Sequence, residues 1–182
     1  MQRRTVEIKA RCSDHEHIRA LLLSRGADFR GTDHQIDTYF EVSHGRLKLR
    51  EGTIENALIH YERADQAGPK QSNVTLFPVQ PGSSLKQILT QSLGVEVVIE
   101  KHREIYFIGN VKFHLDRVTG LGEFVEIEVI DADEAQDIGT LHEQCVSFMK
   151  FLGIAEDDLL VSSYSDMLRC VQELSHPLNV TV

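Results

Sequence analysis

Several stretches of this chain place an acid or a base at every second position. Glu7, Lys9 and Arg11 alternate with Val6, Ile8 and Ala10, and Arg46, Lys48 and Arg50 alternate with Leu47 and Leu49. Lys101 and Arg103, then Lys112, His114 and Asp116, then Glu126 and Glu128 repeat the pattern, and Arg63 shares a side with Ile59 and Tyr61. Successive side chains of a strand point to opposite faces, so each stretch gathers its charges on one face. The bases could bind a compact polyanion. The acids Glu7, Asp116, Glu126 and Glu128 would repel that anion directly, but their oxygens suit Mg²⁺ or Mn²⁺, which could bridge to phosphate oxygens. Basic and acidic walls facing each other are the pattern expected for a di- or triphosphate with divalent metal.

A solvated sheet face also alternates, so one such strand says little. The set says more. Its nine bases and four acids leave a local +5 in a chain whose formal charge is −9. The basic strands are separate in sequence, and their like charges would converge on one surface at a cost.

These residues need strands to carry them. Strand is expected at Thr5–Arg11, within Phe29–Val42, and at Arg46–Arg50, Ala57–Arg63, Val74–Val79, Val95–Ile108, Val111–Asp116 and Phe124–Val129. The polar, Gly- and Pro-containing segment Ala64–Asn73 reads as a mobile loop. Gly109-Asn110 and Gly120-Leu121-Gly122 read as hairpin turns; the latter has the wrong spacing for a dinucleotide loop.

Helices are expected after a capping box Ser13-x-x-Glu16, around Leu85–Leu93, along the stripe Ile138, Leu141, Cys145, Phe148 and Leu152, and over Tyr164–Leu174. That stripe reads as core-facing, although an exposed stripe there could support a homodimer. Glu156-Asp157-Asp158 reads as a helix start, His15 and His17 as solvated, and Tyr39 and Tyr164 as packing residues. About eight antiparallel strands with helices inserted suggest an α+β fold built on a closed barrel or strongly curved sheet. Apolar strand faces turned outward to helices would leave the charged faces lining the interior. One domain over residues 1–174 with a tail at 175–182 is expected.

The acidic balance argues against a general nucleic-acid surface and so against a duplex partner. Three widely spaced cysteines form no zinc or disulfide framework, which fits a reduced, cytoplasmic protein. No apolar run is long enough to span a membrane.

Taken in order, the motifs resemble those of the CYTH superfamily, the triphosphate tunnel enzymes, and especially the branch named after class IV adenylyl cyclases. The resemblance rests on Val6-Glu7-Ile8-Lys9-Ala10-Arg11, Asp37-Thr38-Tyr39-Phe40, Gly45 to Glu51, Tyr61-Glu62-Arg63 and Lys101-x-Arg103. It continues through His114-Leu115-Asp116-Arg117-Val118-x-Gly120-Leu121-Gly122, Phe124-Val125-Glu126-Ile127-Glu128 and Ser163 to Leu168.

It implies an eight-stranded antiparallel tunnel with helices outside, divalent metal, and a small triphosphate such as ATP, thiamine triphosphate or tripolyphosphate. By position it makes Glu7, Glu126 and Glu128 metal ligands, and Lys9, Arg50, Arg63, Lys101 and Arg103 phosphate contacts. It puts Asp116 at the metal or near the nucleophile, so that Lys9 and Asp116 are the catalytic candidates. Arg11, Arg46, Lys48, Lys112 and His114 become supporting tunnel residues, with Arg11 and Lys48 among the substrate contacts.

One position departs: the family's first strand carries Glu-x-Glu-x-Lys, and here it reads Thr5-x-Glu7-x-Lys9. The expected activities are ATP cyclisation or triphosphate hydrolysis. The loss of a carboxylate at Thr5 keeps open a protein that binds triphosphate without turning it over.

Overall fold

The computed structural model describes residues 2–132 and 135–175. Its elements run β1 (Gln2–Arg11), α1 (His15–Ser24), β2 (Asp28–Phe40), β3 (Arg46–Gly52), β4 (Ala57–Arg63), β5 (Lys70–Pro78), α2 (Leu85–Leu93), β6 (Val95–Ile108), β7 (Val111–Val118), β8 (Gly122–Asp131), α3 (Ile138–Phe151) and α4 (Tyr164–Ser175). The eight strands form a closed barrel in the order β1-β5-β4-β3-β2-β6-β7-β8, and every pairing is antiparallel. Closure leaves no open sheet edge. Residues 176–182 of the expected tail lie outside the described residues.

β1 closes the ring. It pairs with β5 on one side and β8 on the other, so Glu7 stands opposite both Lys70 and Glu128. The tight turns are set locally. Gly109 takes a φ of 59° between β6 and β7, and Gly31 takes 118° where the β2–β6 register shifts; L side chains rarely adopt that region.

The outward faces of β1, β7 and β8 build the main core. Val6, Ile8, Ala10, Val111, Phe113, Leu115, Val125, Ile127 and Val129 pack with Ile18 and Leu22 of α1 and Leu141, Cys145 and Met149 of α3. The α3 stripe therefore faces the barrel. A second cluster of Tyr39, Val97, Ile99, Val118, Phe124 and Tyr164 joins strands to the start of α4. With the apolar faces of β1, β7 and β8 turned outward to helices, their Glu7, Lys9, Lys112, His114, Glu126 and Glu128 face the interior, as the alternation implied. Among the described residues no helix is long and apolar enough to cross a membrane.

Four local expectations are corrected. β5 begins at Lys70, so the last four residues of the expected loop are strand. The N-cap of α1 is Asp14, which accepts from the His17 amide at 2.9 Å, in place of Ser13. His15 is buried and its Nε2 bonds the Phe124 carbonyl at 3.0 Å, whereas His17 is exposed. Glu156–Asp158 form a single 3₁₀ turn.

Candidate functional site

The barrel encloses a cavity of about 360 Å³. Eight cations reach it: Arg3 and Lys9 from β1, Lys48 and Arg50 from β3, Arg63 from β4, Lys101 and Arg103 from β6, and Lys112 from β7. Glu7, Glu126 and Glu128 line it from β1 and β8. In a ring of eight, strands four places apart face each other, so the carboxylate wall of β8 and β1 stands across from β3 and β2. The two walls expected from sequence are therefore opposed.

On the basic side one carboxylate gathers three cations. Arg50 donates to Asp37 Oδ1 at 2.9 Å and Oδ2 at 3.0 Å, Lys48 donates to Oδ2 at 2.9 Å, and Lys101 donates to Oδ2 at 2.6 Å. Burial alone would raise the Asp37 pKa; Arg50, Lys101 and Lys48 outweigh it and hold the carboxyl well below the usual range. Burial pushes Lys101 down to about 7, with Asp37 opposing and Arg50 and Arg103 assisting.

Arg103 forms a bidentate pair with Asp116 at 2.7 and 2.5 Å and also donates to Glu126 Oε2 at 2.7 Å. The Tyr164 hydroxyl donates to Asp116 Oδ2 at 2.8 Å. Asp116 is fully buried behind Arg103 and is absent from the cavity lining. Burial works to raise its pKa, but Arg103 brings it to about 2. Asp116 thus orients a guanidinium that faces the cavity.

The carboxylate side is paired residue by residue. Lys9 forms an ion pair with Glu126 and lies 3.4 Å from the Tyr164 ring centroid. Burial lowers the Lys9 pKa well below its ordinary value, with Asp116 opposing and Arg103 and Arg63 assisting. Arg63 pairs with Glu7, and Arg3 donates to Glu128 at 3.0 Å. His114 Nδ1 lies 2.9 Å from Glu126 Oε2. Burial first, then Arg103 and Lys112, hold His114 well below the usual imidazole range, so the ring is neutral and Nδ1–H donates to Glu126. His114 Nε2 is left buried without a hydrogen-bond partner.

Among the described residues, no three of His, Cys, Asp and Glu stand at metal-ligand spacing. The donor set nevertheless suits a hard cation. Glu7 and Glu128 are directly opposed across β1 and β8, with Glu126 two residues along on the same face. Like charges so placed repel unless a cation joins them, and here the arginine and lysine partners do that. Thr5 is fully buried opposite Ser72, and neither hydroxyl has a partner.

Two basic residues expected at the site lie away from it. Arg11 is exposed at the end of β1, with its guanidinium 5.6 Å from the Phe124 ring centroid. Arg46 lines a separate outer pocket and pairs with Asp65 at 3.1 Å and Asp166 at 3.2 Å. Alternation puts both on the right face, but strand ends overrun the cavity.

The structure also adds residues that sequence reasoning missed as site residues. Asp37 is the anchor above; its strand reads Asp33, Gln35, Asp37 and Tyr39 along one face, a signal as clear as the others. Glu55 sits in the turn before β4, pairs with Lys112 and accepts from Arg50 at 2.9 Å. Asp33 holds that turn by accepting from the Ile54 and Glu55 amides at 2.8 and 3.0 Å. Lys70, also buried, lies outside the cavity lining and donates to the carbonyls of Gln66, Leu160 and Val161 at 3.2, 3.2 and 3.3 Å.

Comparison with known proteins covers nearly the whole chain. Residues 3–164 match the CYTH domain. A Methanocaldococcus jannaschii protein provisionally named adenylate cyclase is 26% identical over 173 residues, spanning 89% of this chain and 97% of that protein. A solved Pyrococcus horikoshii structure is 26% identical with a TM-score of 0.73, covering 89% of this chain and 98% of that one. A Vibrio parahaemolyticus structure, also provisionally named adenylate cyclase, shares the fold at 20% identity and a TM-score of 0.72, covering 91% and 97%.

Proposed function

Since this chain belongs to the CYTH domain family, we propose that it binds a triphosphate inside the barrel and processes it with divalent metal. The observation that carries this reading is the convergence of eight Lys and Arg side chains on one barrel cavity in a chain of formal charge −9. Such an excess, faced by a wall of carboxylates, fits a polyanion whose phosphates meet cations on one side and metal-bridged oxygens on the other.

Lys48, Arg50, Lys101 and Arg103 would hold the phosphate chain. Asp37 and Asp116 keep those cations aimed, which limits reorganisation when charge shifts during reaction. Glu7, Glu126 and Glu128 would hold Mg²⁺ or Mn²⁺, which when bound neutralises charge on the phosphate oxygens. In the cyclising reaction the ribose 3′-oxygen bonds the α-phosphorus of ATP, the α–β bridge breaks, the hydroxyl proton is released and pyrophosphate leaves. The provisional name of the M. jannaschii relative supports that choice. In the hydrolytic reaction water bonds the terminal phosphorus, the bond to the bridging oxygen breaks, a water proton is released, and inorganic phosphate forms as the diphosphate portion of the substrate leaves; the same residues serve both.

Product analysis tests the proposal. The protein is offered ATP, thiamine triphosphate and tripolyphosphate with Mg²⁺ and then Mn²⁺, and products are separated by chromatography. Cyclic AMP with pyrophosphate is the expected result. Free phosphate would make it a triphosphatase. No binding of any triphosphate would overturn the reading.

A second reading is favoured by Thr5, whose buried, unpartnered hydroxyl replaces a carboxylate: a triphosphate-binding protein that does not turn its ligand over. Thr5→Glu would then raise turnover and leave triphosphate affinity in place. Unchanged turnover would remove this reading.

A further inference from the structure

Four carboxylates line the cavity, and one stands apart from the rest. Glu7, Glu126 and Glu128 make the wall of β1 and β8. Glu55 comes from the turn between β3 and β4 and stands among cations: its Oε1 pairs with Lys112, and its Oε2 accepts from Arg50 at 2.9 Å and from Gln35 at 3.3 Å. β3, which carries Arg50, and β7, which carries Lys112, lie three places apart in the ring. Glu55 thus joins two cations across the interior, at the end of the barrel where β1 and β7 begin. Burial works to raise its pKa; Arg50 and Lys112 outweigh burial and hold the carboxyl well below the usual range. The turn is built to fix it. Asp33, fully buried, accepts from the Ile54 amide at 2.8 Å, the Glu55 amide at 3.0 Å, Thr53 Oγ1 at 2.9 Å and Gln35 Nε2 at 2.8 Å, and none of these donors is charged. The Gly52 amide donates to Asn56 Oδ1 at 3.1 Å, Asn56 Nδ2 donates to the Gly52 carbonyl at 2.8 Å, and a Cβ at Gly52 would come within 2.6 Å of the Glu55 carbonyl. The negative charge of Glu55 is therefore a fixed part of the wall.

We propose that Glu55 is a specificity-determining residue: it ends the row of phosphate seats at this end of the cavity, so that a triphosphate fits and a chain one phosphate longer is refused. This rests on the triphosphate reading above. Lys48, Arg50 and Lys101 share Asp37, and all three line the cavity while Asp37 does not. Lys112 would extend their row, but Glu55 already holds it. A phosphate placed beside Lys112 would bring its oxygens against a carboxylate in surroundings of low dielectric, where like charges repel strongly. A site rejects a wrong ligand by putting such a contact where only that ligand reaches. An anion that stops short of Lys112 meets the other cations without it.

Calorimetric binding tests this without turnover, in EDTA and again with Ca²⁺ in place of Mg²⁺. Linear tripolyphosphate and tetrapolyphosphate are each titrated into the wild-type protein, Glu55→Gln and Glu55→Asp. Glu123→Gln is the control: it makes the same change in net charge at a carboxylate paired with Arg117 on the barrel exterior. In the wild type, tetrapolyphosphate is expected to bind no tighter than tripolyphosphate despite its greater charge. Glu55→Gln is expected to raise the ratio of tetrapolyphosphate to tripolyphosphate affinity by about tenfold or more, as removal of a close like charge allows. Glu55→Asp, which withdraws the charge by one methylene, is expected to raise it less, and Glu123→Gln to leave it unchanged. Tighter wild-type binding of tetrapolyphosphate, an unchanged ratio in whichever Glu55 variant folds, or an equal rise in Glu123→Gln overturns the role of Glu55 and leaves the triphosphate reading standing. Failure of both anions to bind the wild type overturns both.

Discussion

The Lys101 ammonium donates to Asp37 Oδ2 at 2.6 Å, and each side chain is only 1% exposed. The same carboxylate also serves Lys48 and Arg50. Three buried or nearly buried cations thus share one counter-ion, and the basic wall depends on it. Asp37→Asn keeps the shape and removes the charge. It is expected to destabilise the ligand-free protein by about 3–5 kcal/mol, the usual cost of leaving buried charge uncompensated. Urea denaturation checks this, and an unchanged midpoint would show that the wall does not need its anchor.

The same lysine sets a pH dependence. Burial holds Lys101 near 7 in the folded protein, against about 10.4 for an unfolded lysine. Between those values the unfolded chain binds more protons, so this contribution to stability is complete above the unfolded pKa and is lost as pH falls through about 7. Tyr39, pushed up to about 12 mainly by burial, acts oppositely above pH 10. A bound polyanion favours the protonated lysine, so triphosphate binding at pH 8 is expected to take up protons. Calorimetry in two buffers of different ionisation enthalpy reads the uptake directly, and identical heats would rule it out.

Arg103→Ala should weaken triphosphate binding by on the order of 2–3 kcal/mol, the worth of a desolvated charged contact. Arg103→Lys keeps the charge but loses the fork that grips Asp116 at two points, so it should recover only part of that loss. Lys9→Ala should fall in the same range. Full affinity in both alanine variants, measured by equilibrium titration, would remove the barrel interior as the binding site.

Glu126 contacts Lys9, Arg103 and His114 at once. Glu126→Gln should weaken Mg²⁺ or Mn²⁺ binding by on the order of tenfold or more, since even outer partners of metal ligands contribute that much. Metal titration followed by calorimetry checks it, and an unaltered affinity would take Glu126 out of the ligand set.

Much of the barrel is legible because β1, β7 and β8 are covered by helices outside and turn charged side chains to the cavity inside, which makes apolar and charged residues alternate along them. β5 has no such cover. Its outward residues Gln71, Asn73 and Thr75 are exposed, its first inward residues Lys70 and Ser72 are polar, and the segment looked like a loop. Glu55 was missed for a different reason: it reaches the cavity from a turn, where no periodicity marks it. Tyr164 was read as packing, and its ring does pack with Phe124. Its hydroxyl's contact with Asp116, 48 residues away in sequence, is set by α4 docking and no local pattern could reveal it.

β1 is the strand through which the ring closes, and this shapes how the protein matures. Its pairing with β8 joins residues far apart in sequence; the Arg4–Asp131 contact spans 127 positions. Contacts of that separation form late and slowly, because the loop entropy must be spent before they are rewarded. Glu7 meets Glu128 and Lys9 meets Glu126 only when that seam is sealed. The cavity's two walls therefore stand opposed only in the closed ring, and opening the β1–β8 seam would part Lys9 from Glu126.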